Sequence, residues 1–426
     1  MFLIFFIRDY FPGGIDSSSL AIWLDARYDS SYDQVSKIWY DFSGNNNHIT
    51  ITNGVQFSNF NGGCFYFDGT GELSMPAIAS TYPVSVVSSV THDGNWLLIG
   101  SPYTNQILSL NLNGKRITLS VHIKTYEKSG IVIMYGGTSH FHSSELPSKR
   151  GPSDWNSIIY RLAGVSSHKV NINSKQVTMN NLGGSHGGSP GYAIGGNSNA
   201  NSWDENWRGR ISDVIVYKKD LLDSETKILA AYESMMCNCY NNSELTNQYN
   251  GSFKLVELVG IGRETQSDIV TNTAYSSGSL KISSDTVSGA FLSQNGNYII
   301  TAHNNETLEF KPHALFNHLL QRKWYVQLNQ SSSGVISFAF TSSYLLNSHY
   351  SLNLYYSSDP LFLENVYHVP TVSMFGLNMS INSQNLLSGF YTLGEGFITK
   401  TNIIGRKPMY PFFVVLICIQ ELLVLN

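Results

Sequence analysis

Asn-Gly and Asp-Gly pairs recur along this 426-residue chain and separate short apolar segments. Such pairs favour the two-residue turns that join antiparallel strands, because both positions tolerate positive φ. In KRITLSVHIKTY, apolar residues alternate with polar ones from Ile117 to Ile123. This period of two is typical of strands with one buried face, so we predict an all-β protein of sandwich or jelly-roll type. Six of the pairs lie at residues 53–54, 61–62, 68–69, 93–94, 113–114 and 295–296.

One segment, LLDSETKILAAYESMM, has a helical pattern instead. Asp223 or Ser224 would cap the helix, and Glu225 lies in its first turn, where an acidic side chain is favourable. We predict one short helix here, near the end of the first β domain. The residues that would share its apolar face are Ile228, Tyr232 and Met235.

Changes in composition divide the chain into five parts. Residues 1–14 start with an apolar run too short for a secretory signal, so we expect a leader or the remnant of a truncated signal. Residues 15–238 form the first β domain, and the polar, aperiodic residues 239–250 form a linker. The strand pattern resumes over residues 251–404, which predicts a second β-rich domain. An apolar tail follows at residues 405–426.

The charge balance argues for a protein that works outside the cell. Only 13% of the residues are charged, and Gly, Ser and Asn supply much of the polar surface. This composition is typical of extracellular or cell-surface β proteins. The net charge of −4 gives no reason to expect nucleic acid or an anionic membrane as a partner. Pro408 and Pro411 interrupt the apolar tail, so membrane anchoring by this tail is the less favoured alternative.

The four cysteines are too few for a disulfide framework. Cys237 and Cys239 are too close in sequence to form an ordinary bridge with each other. A bridge from Cys64 to either of them is one alternative. We expect Cys64 to be a free buried thiol instead, because buried free cysteine is common in protein cores.

Both ends of the first domain resemble a known family. LAIWLDA at residues 20–26, WYDFSGNNNH at 39–48 and FYFDGTGEL at 65–73 resemble the start of a laminin-G-like, concanavalin A-like jelly-roll domain. WRGRISDVIVYKKDLLDSETKILAAYES, at residues 207–234, is similar to the end of that domain. The resemblance covers about residues 15–238. It implies two antiparallel sheets packed face to face, of which the concave one is often a binding surface.

The second domain is similar to the uncharacterised β-rich domain that follows such jelly rolls in secreted bacterial surface proteins. LVGIGRETQSDIVTNTAYSSGSLKIS and NYIITAHNNE carry this similarity. The usual form has Asp-Asp after Gly-Ile-Gly-Arg and a Gly-His-Asp triplet. Here Glu264-Thr265 and Ala302-His303-Asn304 stand in those places. The resemblance implies no defined activity for this domain.

The WYDFSGNNNH loop has chemistry that suits either architecture or binding. Asp41 and Ser43 each have side chains that bond to backbone amides two residues further on, and Gly44 tolerates positive φ. We expect Trp39 to fill the sandwich core and the polar residues to shape the loop. A direct role in ligand binding is the alternative.

Catalytic patterns are missing from the sequence. Glycoside hydrolases need two carboxylates about 5–10 Å apart, which one strand would supply at positions i and i+2 or i+4. Asp204 and Glu205 are adjacent, so on a strand they would face opposite ways. The metalloprotease, serine-hydrolase and phosphate-binding motifs are also absent. We therefore expect a protein that is not an enzyme, with a degenerate polysaccharide hydrolase as a weaker alternative.

GGNSNANSWDENW, at residues 195–207, offers the best candidates for ligand binding. Aromatic rings stack on the apolar faces of sugars, while carboxylate and amide groups bond to sugar hydroxyls. The alternative is that both tryptophans pack on the rim of the sandwich. The predicted ligand-binding residues are Asn201, Trp203, Asp204 and Trp207.

Calcium is the metal ion that we expect, because it takes 6–8 oxygen ligands of the kind found in this stretch. Two histidines, His140 and His142, would share a face if extended, but they lack a third metal partner. We expect them to be an exposed pair on a loop. The predicted calcium ligands are Asn201, Asp204 and Glu205, with Asp68 as another option.

These observations favour a non-enzymatic, secreted or cell-surface protein for binding and cell adhesion. Its expected partner is a glycan or glycoprotein, recognised by the laminin-G-like domain through the concave sheet or through the loops around residues 197–208. The alternative is a structural or adhesive stalk module without a small-ligand site.

Overall fold

The part of the chain that the structure describes is all-β apart from one complete helix, as the sequence predicts. The computed structural model describes residues 10–79, 81–92, 104–125, 128–135, 139–143, 155–164, 167–181, 191–196, 206–237, 255–265, 277–284, 291–329, 333–341, 345 and 351–397. Over these residues the chain forms thirty-one β-strands and one α-helix.

Nineteen of these strands precede the helix. They are β1 (Leu20–Asp25), β2 (Tyr32–Asp33), β3 (Ile38–Trp39), β4 (Ile49–Thr50), β5 (Val55–Ser58), β6 (Cys64–Asp68), β7 (Leu73–Ser74), β8 (Val84–His92), β9 (Thr104–Leu112), β10 (Lys115–Thr125), β11 (Lys128–Tyr135), β12 (Ser139–Ser143), β13 (Asn156–Gly164), β14 (Ser167–Ile172), β15 (Lys175–Val177), β16 (Met179–Asn181), β17 (Ala193–Ile194), β18 (Arg208–Ile211) and β19 (Asp213–Tyr217).

These strands form a β-sandwich. The first sheet has the order β15-β14-β13-β8-β18-β6-β5, and the antiparallel pair β1–β19 joins it through β8. The second sheet has the order β16-β12-β11-β10-β9-β17-β7, and β2, β3 and β4 form a small third sheet. Val86 and Phe67 of the first sheet share one hydrophobic core with Leu108 and Ile117 of the second. The two sheets therefore pack face to face.

Local sequence signals account for several of these elements. Asn113 and Gly114 have φ values of 53° and 70° and form the turn of the β9–β10 hairpin, as their sequence predicts. Trp39 is completely buried in the sandwich core, and its ring centroid lies 4.5 Å from that of Phe65. The expectation that Trp39 fills the core is confirmed.

The helix α1 extends from Asp223 to Cys237. A carboxylate oxygen of Glu225 accepts a hydrogen bond from the backbone N–H of Leu222 at 2.9 Å. Leu222 directly precedes the first helical residue. Glu225 therefore caps the helix by bonding to the free amide of Leu222. Ile228 and Tyr232 are buried as predicted, because the helix lies on the outward face of the first sheet.

Twelve strands follow the helix. They are β20 (Val256–Gly262), β21 (Leu280–Ser284), β22 (Tyr298–His303), β23 (Phe310–His313), β24 (Phe316–Leu320), β25 (Trp324–Asn329), β26 (Val335–Phe340), β27 (Asn353–Ser357), β28 (Val366–His368), β29 (Ser373–Phe375), β30 (Asn378–Asn382) and β31 (Gly389–Phe397). A fourth sheet has the order β20-β22-β25-β31-β24-β23, with β27 beside β31 and β28 beside β27. A fifth has the order β21-β26-β30-β29.

The helix connects the two halves of the chain. Ile228 and Leu229 belong to a hydrophobic core that contains Ile215 of the first sheet and Val259 of β20. The Lys227 ammonium lies 2.8 Å from a carboxylate oxygen of Glu264. Residues before and after the predicted linker thus share one apolar core. The predicted domain boundaries stay a prediction.

The end of the predicted leader is part of this junction. Tyr10 is buried against Trp23 and Tyr232. Gly13 forms a parallel bridge with Val259 of β20 and accepts a hydrogen bond from the N–H of Gly260 at 3.1 Å. Residues 10–14 of the predicted leader or signal remnant are therefore packed between the two halves, and that assignment stays a prediction.

Candidate functional site

The predicted binding segment enters the sandwich at the end of the first sheet. Arg208, the first residue of β18, lies directly opposite Asp68, the last residue of β6. The predicted calcium ligand Asp68 is thus next to the end of the segment that holds the other predicted site residues. Asn201, Trp203, Asp204 and Glu205 lie outside the described residues, and their roles stay predictions.

Trp207 differs from the sequence prediction. Its side chain is completely buried in the sandwich core, with the imidazole of His92 at 6.4 Å between ring centroids. The backbone N–H of Trp207 donates to the carbonyl of Gly195 at 2.8 Å. A buried indole offers no face to a sugar ring, so the prediction of Trp207 as a ligand-binding residue is corrected to a core role.

Asp68 is exposed and organises a tight turn. One of its carboxylate oxygens accepts hydrogen bonds from the hydroxyl of Thr70 at 2.6 Å and from the N–H of Thr70 at 2.7 Å. These bonds stabilise the charged form and lower the pKa of Asp68 below its ordinary value. The side chain of Arg208 covers Gly69. A Cβ added to Gly69 would lie 2.6 Å from Cγ of Arg208.

Two further side-chain oxygens lie beside this turn. The position that a Cβ would take on Gly196 is 2.6 Å from Oδ1 of Asn206 and 2.7 Å from Oε2 of Glu72. Oδ1 of Asn206 is shielded from water and has no hydrogen-bond partner among the residues that the structure describes. A buried acceptor without a donor costs roughly 1–3 kcal/mol, so this oxygen is suited to a ligand or ion.

An aromatic and cationic row lies on the outward face of the same strands. Tyr66 and Arg210 are directly opposite each other, so both point away from the core that holds Phe65 and Phe67. The Arg210 guanidinium carbon is 4.8 Å from the ring centroid of Phe60 and 5.4 Å from that of Tyr66. Phe60 is 40% exposed. This group therefore combines an accessible ring with a charged donor.

We define the rim as these seven residues at one end and outward edge of the first sheet: Phe60, Tyr66, Asp68, Glu72, Asn206, Arg208 and Arg210. Sequence reasoning missed all of them except Asp68. A signal was present, because Tyr66 and Arg210 alternate with buried residues in their strands. The antiparallel register that places them side by side is not visible in either strand alone.

Three polar side chains on the outward face of the second sheet are buried. Ser109, Thr118 and Ser120 point away from the sandwich core, since they alternate with core residues of β9 and β10. All three are nevertheless buried.

Within the described ranges, no group of three or more His, Cys, Asp and Glu side chains is suitably placed to hold an ion. Calcium also accepts amide and backbone carbonyl oxygens, and Glu72 with Asn206 supplies this type of donor. The calcium prediction is neither confirmed nor contradicted.

Two smaller sequence expectations are resolved. Cys64 is buried and free, as expected. His140 and His142 belong to the backbone of strand β12 rather than to a loop. Their loop assignment is therefore wrong, because β12 pairs with β11 and β16 in the second sheet.

The unusual motif residues of the second half make internal contacts. Arg263 donates from its guanidinium to the carbonyls of Thr265, Leu292 and Ser293. His303 Nδ1 accepts from the N–H of Asn305 at 3.0 Å, and Nε2 lies 3.0 Å from Oε2 of Glu257. Both ring nitrogens are therefore occupied, which suits a structural rather than a proton-transfer role.

Neither a known family profile nor a curated protein matches the chain. Similar solved structures include the binding domain of Paraclostridial Mosquitocidal Protein 1, with 13% identity, a TM-score of 0.37 and coverage of 89% of this chain and 92% of that one. Domain 4 of AbnA, a GH43 extracellular arabinanase from Geobacillus stearothermophilus in complex with arabinotriose, has 16% identity, a TM-score of 0.33 and coverage of 50% and 98%. Trypanosoma rangeli sialidase in complex with sialic acid has 14% identity, a TM-score of 0.35 and coverage of 54% and 35%.

All three are similar to this chain at low identity, and the chain spans about a third of the sialidase chain. The group includes proteins that bind or process carbohydrate. The expectation of a protein that is not an enzyme is contradicted by this group, since it contains a sialidase and a domain of an arabinanase. That expectation is therefore set aside. No helix among the described residues has the length and apolar character needed to cross a membrane.

Proposed function

We propose that the protein binds carbohydrate at the rim. The observation that carries this proposal is the row formed by Phe60, Arg210 and Tyr66 on the outward face of the first sheet. A partly exposed ring suits the apolar face of a sugar, and a guanidinium donates to hydroxyl or carboxylate oxygens. Backbone pairing holds Tyr66 and Arg210 on the sheet, which limits the entropy cost of binding, while Phe60 lies in the connection between β5 and β6.

The turn beside this row would fix the orientation of the ligand. Asp68 keeps one carboxylate oxygen bonded to Thr70, and its lowered pKa keeps the group charged at neutral pH. The unpartnered Oδ1 of Asn206 and the carboxylate of Glu72 fit a calcium ion, with further ligands from backbone carbonyls. Calcium would support binding by holding this turn next to the row.

The sequence resemblance supports a narrower version of this proposal. In that version the first half is a laminin-G-like jelly roll that acts outside the cell on a glycan or glycoprotein, and adhesion follows from that binding. The shared core around α1 would then keep the second half in a fixed position behind the binding half.

A glycan array tests the proposal, with the full chain applied in calcium and again with a chelator. We expect binding to a defined sugar class and about a ten-fold loss of affinity in Phe60→Ala and in Arg210→Ala. Phe375→Ala is the matched control, because Phe375 is 90% exposed and lies far along the chain in β29. Thermal melting of each variant confirms that it is folded.

Three results distinguish the alternatives. Loss of binding in the rim variants but not in the Phe375 variant supports the rim. Equal affinity in all variants would move the site elsewhere on the protein. A blank array in both conditions would contradict carbohydrate binding itself. Calcium dependence is a separate readout, and its absence would remove only the calcium part.

A further inference from the structure

A cluster of charged side chains lies buried between α1 and the first sheet. Asp25 of β1 is directly opposite Asp213 of β19, and Arg27 Nη2 is 2.7 Å from a carboxylate oxygen of each. Arg27 Nη1 is 3.4 Å from Oε2 of Glu233 on α1. Each of these four side chains has an exposed fraction of 3% or less.

Neutral groups surround the cluster and bond to it. The hydroxyl of Tyr232 donates to Oδ2 of Asp25 at 2.8 Å. The N–H of Ser89 on β8 donates to Oδ1 of Asp213 at 2.9 Å, and the hydroxyl of Ser89 donates to Glu233. The cluster therefore joins three strands of the first sheet to the helix.

The charges in this cluster do not balance. Among the described side chains, three carboxylates contact one guanidinium, and burial of several negative charges beside one positive charge is strongly unfavourable. Asp213 and Glu233 both contact Arg27 and both accept from Ser89, so the two carboxylates are neighbours in one buried site, and a proton on one of them reduces their mutual repulsion. Burial is the main cause that raises the pKa of both groups, and the neighbouring carboxylates raise that of Asp213 further.

We propose that Asp213 and Glu233 share a proton, and that loss of this proton releases α1 from the first sheet. We call this buried cluster the latch. It lies at the junction of the two halves of the chain, because the opposite side of α1 contacts β20, and it is sensitive to pH. The other titratable groups around it are Asp25, Arg27, Tyr10, Tyr217 and Tyr232. The tyrosines have raised pKa values and stay neutral, so the carboxylate pair is the group that changes charge.

The direction of the pH effect follows from the raised pKa values. The folded chain holds a proton that the unfolded chain releases above the ordinary carboxyl pKa of about 4. The contribution of this proton to the free energy of unfolding is therefore complete at low pH. It is lost as pH rises through the pKa of the folded state. One such proton corresponds to a fall of about 1–4 °C in Tm per pH unit between the pKa of the unfolded state and that of the folded state.

Thermal unfolding of the full chain between pH 7 and 10 tests the latch, because the titration of His303 affects stability only at lower pH. We expect this fall in Tm in the wild type and a nearly level profile in Glu233→Gln, whose amide bonds to Asp213 without a titrating proton. Glu309→Gln is the matched control, since Glu309 is an exposed carboxylate in the second half, and it should follow the wild type. Parallel profiles for the wild type and Glu233→Gln would overturn the proposal.

Infrared spectroscopy on the wild type decides the question even if the variant does not fold. A carbonyl band of a protonated carboxyl group should be present at pH 7 and disappear as the pH rises. Its absence at pH 7 would overturn the shared proton. Hydrogen exchange in α1, corrected for the intrinsic effect of pH, should rise about ten-fold from pH 6 to pH 9. An unchanged corrected rate would overturn the release of the helix.

Discussion

Asp41 accepts a hydrogen bond from the backbone N–H of Trp23, eighteen residues earlier in the chain, at 2.9 Å. The same carboxylate accepts from the N–H and hydroxyl of Ser43 and from the N–H of Asn47. One buried side chain therefore fixes the loop and ties it to the edge of β1. The loop of the WYDFSGNNNH segment is thus built by its own side chains, as expected.

Replacing Asp41 with alanine should be strongly destabilising. The change leaves the buried N–H of Trp23 without an acceptor. It also removes the carboxylate that holds the WYDFSGNNNH loop against β1. We expect a loss of about 2–4 kcal/mol in the free energy of unfolding, measured by urea denaturation. Asp33→Ala is the control, because Asp33 accepts similar local bonds at the surface. A loss no larger than that of the control would contradict the anchoring role of Asp41.

Local sequence signals predict the elements of this fold better than their arrangement. The Asn113–Gly114 turn and the position of α1 follow from the chemistry of a few adjacent residues. The burial of Trp207 and the row of Tyr66 and Arg210 depend instead on strand register, which pairs residues more than a hundred positions apart. Long-range pairing of this kind is not encoded in a single segment.

His303 should make the protein less stable in mild acid. Burial lowers the pKa of His303, and the partial opposite effect of Glu257 does not reverse this direction. The native state therefore needs the neutral imidazole, and stability is lost as pH falls below the unfolded value of about 6.5. The loss should reach about 1.4 kcal/mol per pH unit until the folded pKa is passed.

The measurement compares urea unfolding of the wild type and of His303→Gln at pH 7.5, 6.5 and 5.5. The variant is expected to be less stable at pH 7.5, and the difference should shrink toward pH 5.5 because glutamine does not titrate. A difference that stays constant over this range would contradict the assignment. His313→Gln gives a comparison at a histidine that is only partly buried.

Gly260 tests whether the two halves unfold together. An added Cβ there would lie 2.5 Å from Cγ2 of Ile300 and 3.4 Å from Cγ1 of Ile228 on α1. Gly260→Ala should therefore cost about 1–3 kcal/mol through overpacking of the shared core. We expect one cooperative thermal transition that shifts as a whole in this variant.

The matched control for this change is Gly164→Ala, because a Cβ on Gly164 has no atom within 4 Å. Its transition should stay close to that of the wild type. If Gly260→Ala splits the transition and leaves part of it at the original temperature, the halves are independent. That result would favour the linker boundary expected from composition at residues 239–250.

The buried charge cluster shows a second limit of sequence reasoning. Asp25 and Arg27 end the apolar run of β1, where charged residues ordinarily indicate the return of the chain to solvent. They stay buried because α1 covers them and Glu233 completes the cluster. Glu233 lies about two hundred residues further along the chain. Charged residues at the end of an apolar run are therefore buried here, where the local sequence alone indicates exposure.

Cys64 should be almost unreactive in the folded protein. Burial raises the pKa of its thiol to about 11, and the thiol donates to the carbonyl of Ser58 at 3.7 Å. At pH 8 only about one thiol in a thousand is then ionised, and the thiolate is the reactive form. In a chain with Cys237, Cys239 and Cys418 replaced by serine, a thiol reagent should react at least about a hundred-fold faster in urea than in buffer. Rapid reaction in buffer would contradict the burial of Cys64, and a mass lower by two hydrogens in the unsubstituted chain would show that one of its cysteines pairs after all.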